Sequence, residues 1–297
     1  MATITLIGTG LIGCSFGLAL RKQGHFVIGC DKSQNNLILA KELKAIDATS
    51  RSFIHSIIQS NIIVLATPVD HILSVLPQIL DNLPSNAVVI DTGSTKMAIC
   101  NSVKNHPRRS AFVAAHPMAG SEQSGPEAAK ANLFDNKRVA ICESELSNQA
   151  SVSKAIELFE SVGLEPVFMS PEQHDSSVAL VSHLPQILAY AFASLPELAD
   201  ENSKDWARVA SSGFDTSTRL ASSAAEVWLP ILLQNSNFVV DALRSLGQSI
   251  DLLADSLSNS NINSLRAQME RARKTRATFE SKQKSKSENF ELISLTK

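Results

Sequence analysis

The 297-residue chain is short of four things, and each shortage closes off a class of function. Charge is nearly balanced, with a formal net charge of −2, so nothing points to nucleic acid as a partner. No run of 18 or more apolar residues is free of charges or strong breakers, so no membrane-crossing helix is expected. The N-terminus passes straight into strand-like "ITLIG", with no basic region or cleavage site, which argues against secretion. The cysteines (Cys14, Cys30, Cys100, Cys142) are scattered without a C-x-x-C pair, so they are expected as small buried residues, with no metal site. Together these absences describe a cytoplasmic, reduced protein whose partners are small molecules.

The length exceeds what one hydrophobic core usually holds, which predicts two domains. In the first half, β-branched runs at 3–8, 26–31, 61–67, 87–92, 111–116, 138–143 and 165–170 alternate with helical segments such as 11–23, 33–45, 69–81 and 148–162. The stretch 117–137 reads as loop. Strands apolar along their whole length and separated by helices imply a parallel sheet covered on both faces. After residue 170 only helical periodicity remains: 171–195 (bent at Pro185), 201–210, 225–234, 236–257 and 261–279. The wide apolar stripe of Phe238, Val239, Ala242, Leu246, Ile250 and Leu253 suits either intradomain core or a dimer interface.

"ITLIGTGLIGCSFG" sets Gly8, Gly10 and Gly13 at G-x-G-x-x-G between a strand and a helix opening with Leu11 and Ile12. Gly8 permits the tight turn, Gly10 lets backbone approach a pyrophosphate, and Gly13 lets helix pack on strand. The helix N-terminus then offers free N–H groups to phosphate. Gly17 falls on the same helix face as Gly13 and extends that close packing. The second strand ends at Asp31, 18 residues past Gly13, where a carboxylate can accept hydrogen bonds from ribose hydroxyls and repel a 2′-phosphate. NAD is therefore expected ahead of NADP, although Lys32 offsets part of the repulsion. Thr67, at the end of a later strand, either faces the cofactor or simply turns the chain.

The fold class follows: α/β, with an N-terminal Rossmann-type dinucleotide-binding domain on a mostly parallel sheet (1–170). An all-helical C-terminal domain for substrate and dimerisation (171–280) and a flexible tail (281–297) come after it.

Ligands of open parallel sheets bind beyond the carboxyl ends of the strands. "VVIDTGSTK" exposes Ser94 at one such end and "FVAAHPMAG" places His116 at another. A neutral imidazole can accept a hydroxyl proton while hydride leaves the same carbon, and Ser94 is expected to orient it. Singly, such residues more often serve structure; side by side at a dinucleotide site they indicate catalysis. His183 lies among apolar neighbours and is either a satisfied core histidine or a site residue. His174, nine residues earlier and half a turn out of phase, is expected on the surface. Arg219 is suited to hold a carboxylate bidentately or to form an exposed ion pair.

Taken together, "GTGLIGCSFGLAL", "DTGSTK", "HPMAGSEQSGPEAA", "ALVSHLPQILAYAF" and "SSGFDTSTRLASSAAEVW" resemble the prephenate/arogenate dehydrogenase family of tyrosine biosynthesis. The resemblance runs from residue 4 to about 279. It implies NAD(P)-dependent oxidative decarboxylation of a cyclohexadienol, with His116 as the catalytic hydrogen-bonding residue and Ser94 supporting it. It also implies substrate contacts from Glu122 as a gate, with Ser121 beside it, from His183 near the side chain, and from Arg219 at a carboxylate. Trp228 matches the tryptophan that follows. Asp215 departs from the pattern: relatives acting on prephenate often carry a basic residue there, so arogenate stays open as the substrate beside prephenate.

Two rivals fare worse. β-Hydroxyacid dehydrogenases of similar architecture use a lysine on the first interdomain helix, yet no lysine or arginine lies between Lys154 and Lys204. A non-catalytic NAD-sensing module would need neither His116 nor Arg219.

Overall fold

The strands are short and almost wholly apolar, which suits a sheet covered on both sides. In the computed structural model, residues 1–198 and 205–294 are described, with side chains through residue 281. Eight strands form one sheet: β1 Thr3–Ile7, β2 Phe26–Cys30, β3 Ala48–Ser50, β4 Ile62–Leu65, β5 Val88–Asp91, β6 Phe112–Pro117, β7 Lys137–Cys142 and β8 Leu164–Met169. Their order is β3-β2-β1-β4-β5-β6-β7-β8. The first six reproduce the doubly wound order 3-2-1-4-5-6, which places a ligand crevice where β1 meets β4.

One junction departs from a parallel sheet. Val89 and Ile90 of β5 pair in parallel with Phe112 and Val113. From Ala114 to Pro117, β6 instead pairs antiparallel with β7, and His116 lies opposite Ala140. The last residues of β6 therefore run past the end of β5 and pair with a strand on one side only.

Twelve helices are described: α1 Leu11–Lys22, α2 Gln34–Glu42, α3 Phe53–Ile57, α4 Val69–Asn82, α5 Met97–Val103, α6 Gln149–Ser161, α7 Pro171–Val178, α8 Leu184–Ser194, α9 Ser212–Thr218, α10 Ala225–Gln234, α11 Ser236–Ser258 and α12 Ile262–Ser294. One apolar cluster gathers Phe16 of α1 with Phe134 and Phe159 of α6, the first two with ring centroids 4.3 Å apart. Each of these fully buried rings contributes roughly 1.5–3 kcal/mol. The other cluster packs Ile72, Leu76 and Ile79 of α4 and Ile99 of α5 on the sheet. All four cysteines are free and buried; burial raises their thiols, Cys14 and Cys142 to about 12.

Between α7 and α8 the helix widens into a π turn, Ala179–His183. Pro185 has no N–H to give to the preceding turn, so the ladder is already broken there and an extra residue is accommodated. The run Pro171–Leu198 is long and apolar enough by composition to cross a membrane, where none was expected. Its polar residues His174, Asp175, His183 and Gln186 are buried and hydrogen-bonded to protein groups.

By internal contacts the chain divides at Val239, with Met1–Val239 as one compact unit and Val240–Lys297 as another. The first unit thus extends beyond the boundary expected near residue 170. In the apolar stripe, Val239 and Ala242 are buried while Ile250 and Leu253 are exposed. In the second unit, α11 and α12 are joined through Asn261, whose side chain caps Ser264, and through a Ser256–Ser264 hydroxyl pair at 2.8 Å. The tail expected to fray at 281–297 keeps helical backbone to Ser294; its side chains from 282, and residues 295–297, lie outside the described residues. Part of the helix expected at 201–210 lies outside them too, and Trp206–Arg208 forms a short 3-10 turn.

Candidate active site

The glycine turn has the contacts its sequence requires. Gly8 has φ +97°, and a Cβ there would meet the Ala66 carbonyl oxygen at 2.3 Å. A Cβ on Gly13 would meet the Gly8 oxygen at 2.0 Å, and one on Gly17 the Ala45 oxygen at 2.1 Å. Among these four glycines of the turn and helix, Gly10 alone faces open space, with nothing within 4 Å of an added Cβ. Gly10 is also the N-cap of α1 and brings no capping side chain, so the first N–H groups of α1, at Leu11 and Ile12, remain available. That open cradle fits a pyrophosphate.

Asp31 sits beside it. Its Oδ2 accepts from the Thr9 backbone at 2.7 Å and the Thr9 hydroxyl at 3.0 Å, while Oδ1 takes one hydrogen bond, from Ser33 N–H at 2.8 Å. Oδ1 thus has accepting capacity left for a hydroxyl ligand. Thr67 abuts Gly8 through its methyl group and bonds His71 through its hydroxyl at 3.1 Å.

A second, buried network gathers where β5 and β6 end. Asp91 closes β5 and accepts from Ala115 N–H at 3.0 Å and Gly93 N–H at 2.8 Å. The Lys96 ammonium, with no exposed surface, is ion-paired to Asp91 and donates to the Ala115 carbonyl at 2.7 Å. Ala115 precedes His116, so this pair sets the backbone from which the imidazole projects. From the other side, a capping box of Ser170 and Gln173 with Pro171 at N1 starts α7 and delivers His174 and Asp175. The Asp175 carboxylate accepts from Lys96 N–H at 2.8 Å and Met97 N–H at 2.9 Å, capping α5. It also bonds His174 Nδ1 at 2.7 Å, and His174 Nε2 lies 2.9 Å from His116 Nδ1.

His174 is therefore no surface histidine. Nine residues of α-helix would leave it opposite His183, but the extra residue of the π turn returns about 100° of that half turn, so both face inward. His183, 1% exposed, is 3.0 Å from Asn235 Nδ2 and stands edge-on to Trp228. Asn235 in turn donates to the Asp175 carbonyl at 2.8 Å.

Burial depresses all three imidazoles. His116 is held well below its ordinary value by burial, then by His174, Lys96 and His183. Burial lowers His174 less, because the hydrogen bond to Asp175 opposes it. Burial brings His183 from 6.5 to about 4 against the opposing pull of Asp175. Because the unfolded chain binds more protons below pH 6.5, stability is whole above that pH and is lost as pH falls toward the folded values. Urea midpoints should therefore fall from pH 7 to pH 5, with His183 alone contributing up to about 1.4 kcal/mol per pH unit. His183→Gln should flatten the slope; a midpoint constant over this range would contradict the burial of neutral imidazoles.

Ser94 is half-buried at the turn after β5, and among the described residues no hydrogen bond joins it to His116; His174 takes that place. Ser121 is exposed, and its hydroxyl closes a local turn with Gln123. Glu122 and Arg219 do meet, in an ion pair on the rim of a cavity of about 670 Å³ also lined by Gln123, Glu127, Ser222 and Ala224. His116 does not line that cavity. Glu122 follows it by six residues, which limits their separation to about 20 Å. Lys96, Asp91, His174, Asp175 and Asn235 carry no distinctive spacing, although "DTGSTK" already contained the buried pair.

Residues 16–167 match the family model for the prephenate dehydrogenase nucleotide-binding domain, and 170–271 the model for the prephenate dehydrogenase dimerization domain. A prephenate dehydrogenase of Bacillus subtilis is 33% identical over 84% of this chain and 68% of its own length. The crystal structure of Aquifex aeolicus prephenate dehydrogenase with hydroxyphenyl propionate and NAD+ superposes with TM-score 0.86 at 26% identity, covering 94% of this chain and 98% of that one. Synechocystis arogenate dehydrogenase gives TM-score 0.78 at 26% identity over 93% and 99%. From a glycine cradle to a half-open histidine at the end of β6, this chain belongs to the prephenate dehydrogenase family.

Proposed function

We propose that the chain carries out NAD-dependent oxidative decarboxylation of prephenate to 4-hydroxyphenylpyruvate, a step of tyrosine biosynthesis. The observation that carries this reading is His116: half-buried, beyond the end of β5, with Nδ1 engaged by His174 and Nε2 left for a ligand. The reaction removes a hydride from the C4 carbinol and releases the ring carboxylate as CO₂; the hydroxyl proton taken as the hydride leaves returns to the oxygen when the ring becomes aromatic, since the product keeps its 4-hydroxyl. When bound, NAD supplies the hydride acceptor. Gly8, Gly10 and Gly13, the N–H groups of Leu11 and Ile12, Asp31 and Thr67 would hold it, and the carboxylate of Asp31 disfavours a 2′-phosphate.

His116 takes the C4 hydroxyl proton, being neutral at pH 7 because burial depresses it. Ser94, near the same strand ends, is placed to contact the substrate hydroxyl or the cofactor. Arg219 receives a substrate carboxylate in exchange for Glu122, and His183 with Trp228 backs the site from the helical side. Since charge-assisted hydrogen bonds contribute about 1.5–3 kcal/mol, Arg219→Ala should raise KM roughly 10- to 100-fold with a smaller change in kcat. An unchanged KM would remove Arg219 from the site.

A second reading, arogenate oxidised to tyrosine, is favoured by the acidic balance around the cavity. Glu122 and Glu127 line it against the single cation of Arg219, and Asp215 precedes that arginine on α9. NADH formation measured with prephenate and with arogenate, using NAD and NADP in turn, decides between them; no activity with either would end the proposal.

A homodimer built through the helical region is supported by exposed Leu180, Val181, Leu229, Leu233, Ile250 and Leu252. Its test is the mass in solution. Four free, buried cysteines suit a reducing cytoplasm.

A further inference from the structure

The buried Asp175–His174–His116 chain has a directionality that the hydrogen bonds themselves fix. Asp175 Oδ1 can only accept from His174 Nδ1, so that nitrogen carries the proton. A neutral His174 then has a bare Nε2, which can only accept, so His116 Nδ1 must donate. His116 Nε2 is left bare. The resting chain thus holds its outward nitrogen as a lone pair.

We propose that His174 and Asp175 are positioning residues that hold His116 in its basic tautomer and store the proton it takes until the product phenol recovers it. This rests on the reaction proposed above. In the step, His116 Nε2 binds the hydroxyl proton and the Nδ1 proton of the same ring passes to His174 Nε2. His116 ends neutral and protonated on Nε2, while His174 becomes an imidazolium with its Nδ1–H still on Asp175. One proton enters and one positive charge appears on the ring that Asp175 bonds, and the same path returns the proton to the phenolate oxygen once CO₂ has left.

The surroundings favour that destination. His116 is faced by His174 from α7, by His183 from the π turn, and by Lys96 at the start of α5, itself paired with Asp91 of β5. No carboxylate bonds His116 directly among the described residues, whereas Asp175 bonds His174. Burial lowers both rings, and the hydrogen bond to Asp175 opposes that only at His174. Asp175 is itself immobilised by the backbone of Lys96 and Met97, so it cannot turn away from the ring.

Two substitutions separate holding the tautomer from carrying the proton. His174→Phe keeps ring volume and removes both nitrogens; kcat should fall roughly 10²-fold, with the affinity for NAD unchanged. His174→Gln can accept from His116 Nδ1 through its amide oxygen, yet cannot be protonated. It should recover kcat to within about tenfold of wild type and move the acid limb of the pH–rate profile to lower pH, because deleting one protonation site lowers the apparent pKa of a coupled pair.

A Gln variant with wild-type kcat and an unmoved acid limb, or one moved upward, overturns the relay. Nitrogen NMR of the wild-type imidazoles decides the matter if the Phe variant does not fold. The expected pattern at pH 7 is protonated Nδ1 and bare Nε2 on both rings; a proton on His116 Nε2 overturns the proposal. Failure of the reaction assignment looks different: wild type would oxidise neither cyclohexadienol, while the nitrogen spectrum would still read the tautomers.

Discussion

His116→Ala should lower kcat by ~10²–10⁴-fold, the usual contribution of a general base, while the affinity for NAD stays within a few-fold of wild type. The two effects separate because they sit on different elements. The glycine cradle belongs to the turn between β1 and α1, and His116 to the free end of β6. Lowering the barrier by that factor corresponds to about 2.7–5.5 kcal/mol, more than a packing role at a half-open position would supply. The wild-type acid limb should fall below pH 6.5, since burial, His174 and the Lys96 ammonium hold the ring neutral, and it should vanish in the alanine variant. Steady-state rates across pH, with cofactor titrations beside them, check both halves. A loss of less than tenfold would remove the imidazole from the chemistry.

Lys96→Met should be the most damaging single change to stability, by about 3–5 kcal/mol. The ammonium is buried and its partner Asp91 is equally so. Methionine fills similar volume but leaves a carboxylate with only the N–H groups of Gly93 and Ala115 to answer its charge. Removing one member of a buried pair costs far more than the pair's net worth, because desolvation of the survivor is no longer offset. Asp91→Asn in the Lys96→Met background should recover much of the loss, since a neutral amide needs no counter-charge. Urea unfolding of both variants tests this. A loss under 1 kcal/mol in the single variant would mean that the carboxylate had found another partner.

The Rossmann half was legible because its signals are local. "ITLIGTGLIG" encodes strand, turn and helix within ten residues, and runs such as "IIVL" need only be apolar to be central strands. β3 escaped notice because "ATS" is three small residues paired only to the edge of β2. The reversal of β7 left no trace, since a buried strand has the same composition in either direction. Arg219 and Glu122 could be singled out, but their ion pair spans 97 positions and has no periodicity. A phase count that assumes uniform α-helix puts His174 on the wrong face, and one wide turn invalidates it. Ser94 was visible as a strand-end hydroxyl; that a histidine 58 residues beyond His116 would hold the ring instead is a property of tertiary packing.

The widened turn at Ala179–His183 has a consequence for how this segment can vary. Because a single surplus residue aligns the two inward imidazoles, the stretch tolerates exchange of side chains more readily than any change in its count. Trimming one residue would restore uniform winding, swing everything downstream of it around the axis, and unseat the histidine that Asn235 anchors. Length, more than composition, sets the geometry there.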